Sequence, residues 1–341
     1  MDHLALANST GDDRVDAILH RVVYDLEIAF PERIQGCYVE GSYADGTGLG
    51  TSDVDLVVVF RGKFQDGTER ERAIQTIDRI GSAKSVELDS SVLAEAALGN
   101  GVYPTLKLGS LCVYGEDARG VWPLLPMDGW IRQRMHAAYW LIVKVFNRPP
   151  SVSYPLGYPD PDSKFYGYDQ RKVRLFDGRE VNSTRDLVRV TGWAATALLA
   201  LKARQYVARK SDGHRAYRDH IDDEWASLLT DIHDQCRTRW RYLIPEVEDQ
   251  RRLLRDICTR TLGFENHFLA VYRGFLLSQL TGYDEAGRID AVRFLEQIPY
   301  RDTAIEAALL DVEGQLFKPN SAASTPAATG SGLLRRRAVG R

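Results

Sequence analysis

The chain has 341 residues, 44% hydrophobic and 27% charged, with a net charge of −3 and a pI near 6.2. That length suits two domains with a core each, and the near-neutral charge argues against a protein that lives along nucleic acid, which would carry a basic surplus. No apolar run approaches the ~20 residues of a membrane span, and the N-terminal MDHLALANSTGDD has no charged-then-apolar signal layout, so a cytoplasmic protein is expected.

An amphipathic helix is predicted over residues 14–30, with Val15, Ile18, Leu19, Val22, Leu26, Ala29 and Phe30 on one stripe and Pro31 ending it. An apolar strand, 35–40, runs into Gly41-Ser42. A glycine there lets backbone approach a phosphate, and the serine hydroxyl and neighbouring N–H groups can donate to it. Gly46, Gly48 and Gly50 make the following loop pliable. Next come Asp53-Val54-Asp55 and the run Leu56-Val57-Val58-Val59-Phe60. On a strand, Asp53 and Asp55 share a face, about 6.5 Å apart along the backbone. Two carboxylates converging to ~4 Å repel by about 4 kcal/mol at an effective dielectric near 20. A cation between them relieves this, and hard oxygen donors suit Mg²⁺. The pattern of strand, Gly-Ser, Asp-x-Asp and apolar run points to phosphoryl or nucleotidyl transfer. A helix over 66–80 and a strand over 85–93 follow, the latter with Glu87 and Asp89 on one face.

This constellation resembles the nucleotidyltransferase superfamily that includes DNA polymerase beta, and looks most like the bacterial aminoglycoside-type nucleotidyltransferases, over roughly residues 35–115. The resemblance implies that Gly41 and Ser42 hold the triphosphate and that Asp53 and Asp55 hold two Mg²⁺. It also implies a third carboxylate that binds metal or acts as general base. Asp89 lines up better with the family's third strand, while Glu87 has the longer reach of a base; both stay candidates. A strand over 108–117 ending in Tyr114-Gly115-Glu116-Asp117 supports the fold, with Glu116 and Asp117 read as turn residues.

The second half reads as one helix followed, after a long break, by a helical bundle of five or six members. Helices are predicted at 130–146, 183–209, 216–241, 245–262, 264–281, 285–297 and 302–316, with a long Tyr- and Pro-rich break at 148–179. The expected organisation is α+β: a small mixed-sheet catalytic domain (1–125), a helical bundle domain (126–317) and a disordered tail (318–341). A triphosphate needs cations from across the cleft. By resemblance Lys210 contacts the phosphates and Tyr217 lines the nucleotide; Arg185 and Arg189, one turn apart, are weaker candidates for the same role and read rather as ordinary surface charges. The acidic run 219–224 reads as a helix start and His267 as a core histidine. Cys37, Cys112, Cys236 and Cys258 have neither metal-ligand nor redox spacing and read as buried, reduced thiols.

The expected activity is Mg²⁺-dependent transfer of a nucleoside monophosphate, AMP from ATP, to a hydroxyl of a small acceptor such as an aminoglycoside-like antibiotic. Two rivals predict different features. Transfer to RNA or protein predicts a basic stripe beside the cleft, and a non-catalytic nucleotide-binding module predicts a broken carboxylate set.

Overall fold

A computed structural model describes residues 5–50, 52–83, 87–175 and 178–316. The expected tail lies outside the described residues.

Helix α1 (Asp13–Ala29) starts at Asp12, whose carboxylate accepts from the N–H groups of Arg14 and Val15, satisfying donors that no helical carbonyl reaches. Strands β1 (Ile34–Glu40) and β2 (Val54–Phe60) are buried along all seven residues. They are the inner pair of a four-stranded sheet, order β3-β2-β1-β4, with β3 at Leu88–Ala94 and β4 at Leu111–Gly115. β2 pairs antiparallel with β1 and parallel with β3, and helix α2 (Glu69–Ala83) makes the crossover that a parallel pair requires.

Both faces of this sheet are covered, which explains the near-continuous apolar runs. Cys37, Val39, Val54, Leu56 and Val58 pack with α1 and α2. Tyr38, Val57 and Val59 pack on the other face with Leu98, Leu106 and Trp122. Short helices α3 (Glu95–Leu98) and α4 (Pro104–Gly109) lie on that second side. Leu108 and Gly109, read from sequence as the start of a strand, instead close α4. Pro104 opens that turn, at a position where its missing N–H costs nothing.

The helical half has its own core. It holds α5 (Met127–Lys144), the short β5 (Val152–Ser153), a hairpin of β6 (Arg171–Arg174) and β7 (Glu180–Ser183), and α6 (Arg185–Ala203). Then come α7 (Gly213–His220), α8 (Ala226–Asp231), π-helical turns at Ile232–Arg239, and α9 (Glu248–Thr281). The chain closes with α10 (Glu285–Gln297), β8 (Tyr300–Arg301) and α11 (Thr303–Leu316).

Two expectations change here. The segment 216–241 is not one helix: it breaks between α7 and α8, where Asp222 takes a positive φ of 48°. The predicted helices 245–262 and 264–281 are a single 34-residue helix. Gly263 does not interrupt it, because the Trp225 ring lies over that position, 2.8 Å from where a Cβ would stand. The long 148–179 break is pinned rather than loose. Arg148 donates to both oxygens of fully buried Glu265 on α9 at 3.1 and 2.7 Å, and the Tyr168 hydroxyl donates to the same carboxylate at 2.7 Å.

Candidate active site

The strand register assembles the acidic face. In the parallel β2–β3 pair Asp55 stands opposite Asp89, and the Val54 N–H donates to the Glu87 carbonyl at 2.8 Å. On the other side of β2, Asp55 is the antiparallel partner of Glu40 on β1. Paired residues of neighbouring strands point the same way. Glu40, Asp55 and Asp89 therefore form a row across three strands, with Asp53 and Glu87 one strand-step toward the rim. Asp55 is 7% exposed and Glu40 8%, while Asp89 is half-buried, so the row opens toward the β3 side.

Gly41, Ser42 and Tyr43 follow β1 as a single 3₁₀ turn. The amides of Ala44 and Asp45 donate back to the Gly41 carbonyl at 3.1 and 3.2 Å, and that of Thr47 to the Ser42 carbonyl at 2.9 Å. Gly41 has φ +71°, and a Cβ there would sit 2.6 Å from Asp55 Oδ2. Only glycine fits that position on both counts.

Every carboxylate at the rim meets a cation from the helical half. Arg185, at the first turn of α6, places Nη2 2.9 Å from Asp53 Oδ1 and Nη1 3.2 Å from Glu87 Oε2. Arg171 on β6 donates to Glu87 at 2.7 Å. Lys210 Nζ donates to Asp55 Oδ2 at 3.0 Å. Burial alone would raise the pKa of Asp53, but Arg185, Lys210 and Arg189 outweigh it and hold the carboxyl below the ordinary range. Asp45, deeper in the loop, goes the other way: burial raises it despite a bond from the Ser211 hydroxyl and nearby Arg209.

Asp53, Asp55, Glu87, Asp89, Gly41, Ser42 and Lys210 thus lie along the neighbouring ends of β1, β2 and β3 and the strap that reaches Asp55. Their carboxylate oxygens are not gathered as tightly as a bound ion would draw them. Among the described residues the sole group of metal-ligand atoms lying within 4.8 Å of one another is His214, His233 and Asp234. In that group the two imidazoles are stacked at 3.9 Å and only 18° from parallel, so their in-plane lone pairs do not converge on one ion. Asp53 and Asp55 are turned toward Arg185 and Lys210 instead.

Three expectations need correction. Tyr217 is fully buried in the helical core and its hydroxyl donates to Asp223 at 3.0 Å; its ring offers no surface to a nucleotide. Arg185 is no ordinary surface charge, its side chain being 13% exposed and shared between Asp53 and Glu87. His267 is half-exposed on α9 beside Lys202, not in the core. Glu40 was missed altogether, though an acid ending a fully buried strand next to Gly41 was a visible signal. The four cysteines are buried and unpaired with one another, as expected.

The donor set suits Mg²⁺. Asp55 and Asp89 are hard oxygen donors paired on adjoining strands, Asp53 stands just ahead of β2, and Asp53 and Asp55 already attract cations. Gly41 leaves a cradle beside Asp55 that a side chain would fill.

Residues 26–100 match the family model of the nucleotidyltransferase domain. No curated protein matches the chain. Among solved structures, the spectinomycin adenyltransferase AAD(9) from Enterococcus faecialis, with ATP and spectinomycin, aligns at 13% identity over 73% of this chain and 98% of its own, with a TM-score of 0.44. A proposed nucleotidyltransferase from Sulfolobus solfataricus aligns at 21% identity over 32% of this chain and 92% of its own, with a TM-score of 0.22. The family match and the site residues, not these outlines, carry the functional reading.

Proposed function

We propose that this chain, a nucleotidyltransferase by its residues 26–100, moves a nucleoside monophosphate from a nucleoside triphosphate, ATP by preference, to a hydroxyl of a small acceptor. The observation that carries this is the Asp55–Asp89 register beside the Gly41-Ser42 turn, with Lys210 and Arg185 facing it from the other half.

In this reading Asp53, Asp55 and Asp89 hold Mg²⁺, which when bound supplies positive charge to the reacting phosphate. Ser42 receives the phosphates through its hydroxyl, beside the Gly41 backbone that no side chain screens. Lys210 and Arg185 lie within reach of the same oxygens and neutralise charge that builds on the leaving group. Glu87 or Asp89 takes the proton of the acceptor hydroxyl. The acceptor oxygen bonds to the α-phosphorus as the bond from that phosphorus to the pyrophosphate oxygen breaks, and pyrophosphate leaves. Glu87, half-exposed at the rim, is the better placed of the two to meet an incoming hydroxyl; Asp89, deeper and beside Asp55, is the better metal ligand.

The rim also bears on the acceptor. Arg171 and Arg174 on the β6–β7 hairpin pair with Glu87 and Glu180, so they do not form the open basic stripe that a nucleic-acid acceptor would need. A small acceptor, such as an aminoglycoside-like antibiotic or a hydroxylated metabolite, fits better. The test is pyrophosphate release from labelled ATP with Mg²⁺ and an aminoglycoside panel, against the Asp53→Asn variant. Release that survives Asp53→Asn would place the chemistry elsewhere.

A further inference from the structure

The strap between α6 and α7 that carries Lys210 is held to the catalytic half by residues on either side of that lysine. Tyr206 donates its hydroxyl to the Leu125 carbonyl at 2.6 Å. The Ala208 carbonyl passes so close to Gly109 that a Cβ there would lie 2.3 Å from it. Arg209 Nε then lies 3.3 Å from Asp45 Oδ1, and the Ser211 hydroxyl donates to Asp45 Oδ2 at 2.8 Å. Lys210, between them, extends to Asp55.

The two partners differ in how firmly they are fixed. The Lys210 side chain is 49% exposed, so packing does not hold it. The Asp45 side chain is 4% exposed, and its own amide is tied to the Gly41 carbonyl. Asp45 therefore belongs to the Gly-Ser turn and grips the residues flanking Lys210. A second tie joins the same loop to the helical half: Arg237 Nη2 donates to the Thr47 hydroxyl at 3.0 Å.

We propose that Asp45 is a positioning residue that locks the 209–211 strap to the phosphate-binding turn and so sets where Lys210 Nζ meets the triphosphate. This rests on the reading of the cleft as a nucleotide site. A bound triphosphate requires Lys210 to leave Asp55 and turn to phosphate oxygens. During that exchange the hydrogen bond from Ser211 and the ion pair with Arg209 keep Asp45 on the strap, so Nζ moves by side-chain rotation while the strap does not shift.

The test is calorimetric binding of α,β-methylene-ATP with Mg²⁺, the matching GTP analogue run alongside. It needs wild type, Lys210→Ala, Asp45→Ala, Ser211→Ala and the double variant Asp45→Ala/Lys210→Ala. Wild type should bind, and Lys210→Ala should weaken binding on the order of tenfold, the size of one lost charge-assisted contact. Asp45→Ala should weaken it to a similar degree, and the double variant should be no worse than Lys210→Ala, because Asp45 acts through that lysine. Ser211→Ala, which removes one hydroxyl, should lose about threefold and stands in if Asp45→Ala does not fold. Additive losses in the double variant, or binding by both Asp45→Ala and Ser211→Ala within about twofold of wild type, would overturn the positioning role while leaving the nucleotide site intact. Absence of binding by wild type to either nucleotide would overturn both.

Discussion

Gly41 offers the sharpest test of the carboxylate floor. Replacing it by alanine does two separable things. The backbone there is left-handed, φ +71°, which costs a residue with a Cβ roughly 1–2 kcal/mol, or a few degrees of melting temperature in a chain of this size. The new Cβ also arrives 2.6 Å from Asp55 Oδ2, where ordinary contact begins at 3.4 Å. Asp55 is 7% exposed and held by Lys210 at 3.0 Å, so its carboxylate must swing by about 1 Å, and misplacement on that scale costs about 10²-fold in rate. Gly46→Ala is the matched control: φ is +67° but nothing lies within 4 Å of its Cβ. Both variants should lose similar stability by thermal unfolding. Only Gly41→Ala should lose Mn²⁺ binding, read by electron paramagnetic resonance with Mn²⁺ replacing Mg²⁺, and about 100-fold in pyrophosphate release. Equal losses in the two variants, or full activity in Gly41→Ala, would mean that Asp55 holds no metal.

Arg185→Ala should move two affinities in opposite directions: free Mn²⁺ should bind tighter once Asp53 and Glu87 lose their shared cation, while nucleotide affinity falls about tenfold. Both are measurable by calorimetry, and a parallel change would contradict the dual role. Glu265→Gln should destabilise by about 3–5 kcal/mol, since it strands the buried Arg148 guanidinium; denaturant unfolding showing a loss under about 1 kcal/mol would mean the pair is dispensable. His136 is buried against Phe294 and Tyr272, and burial lowers its pKa to about 3 from 6.5. The folded state keeps it neutral, so its contribution is full above pH 6.5 and is lost as pH falls from there toward 3. Unfolding midpoints at pH 7 and pH 5 should differ, and His136→Gln should flatten the difference; an unchanged slope in that variant would exclude His136 as the source.

The catalytic strands were legible in the sequence because local chemistry places them. Period-2 alternation put Asp53 and Asp55 on one face, and the Gly-Ser turn needed no tertiary information. Glu87 and Asp89 stayed undecided because sequence gives no register; the β2–β3 pairing puts Asp89 beside Asp55 and leaves Glu87 at the rim. Arg185 was unreadable for another reason. An arginine opening a helix looks like any solvated charge, and only the approach of the first turn of α6 to the residues just ahead of β2 and β3 gives it two carboxylates. The join at Gly263 shows the converse error: two helices were read where one 34-residue helix runs on, with the Trp225 ring seated against the glycine.

The ion pairs across the cleft carry a consequence for the order of arrival. Lys210 and Arg185 occupy, as internal counter-ions, the carboxylates that a divalent ion would need. A bare ion must draw Lys210 off Asp55 and Arg185 off Asp53, leaving Arg185 only its pairing with Glu87, and so competes poorly. An ion that enters already chelated by a triphosphate brings the replacement anion with it, and the exchange becomes nearly neutral in charge. On the proposed reading of the site, kinetics in which nucleotide concentration, rather than free metal, governs loading follow from that swap.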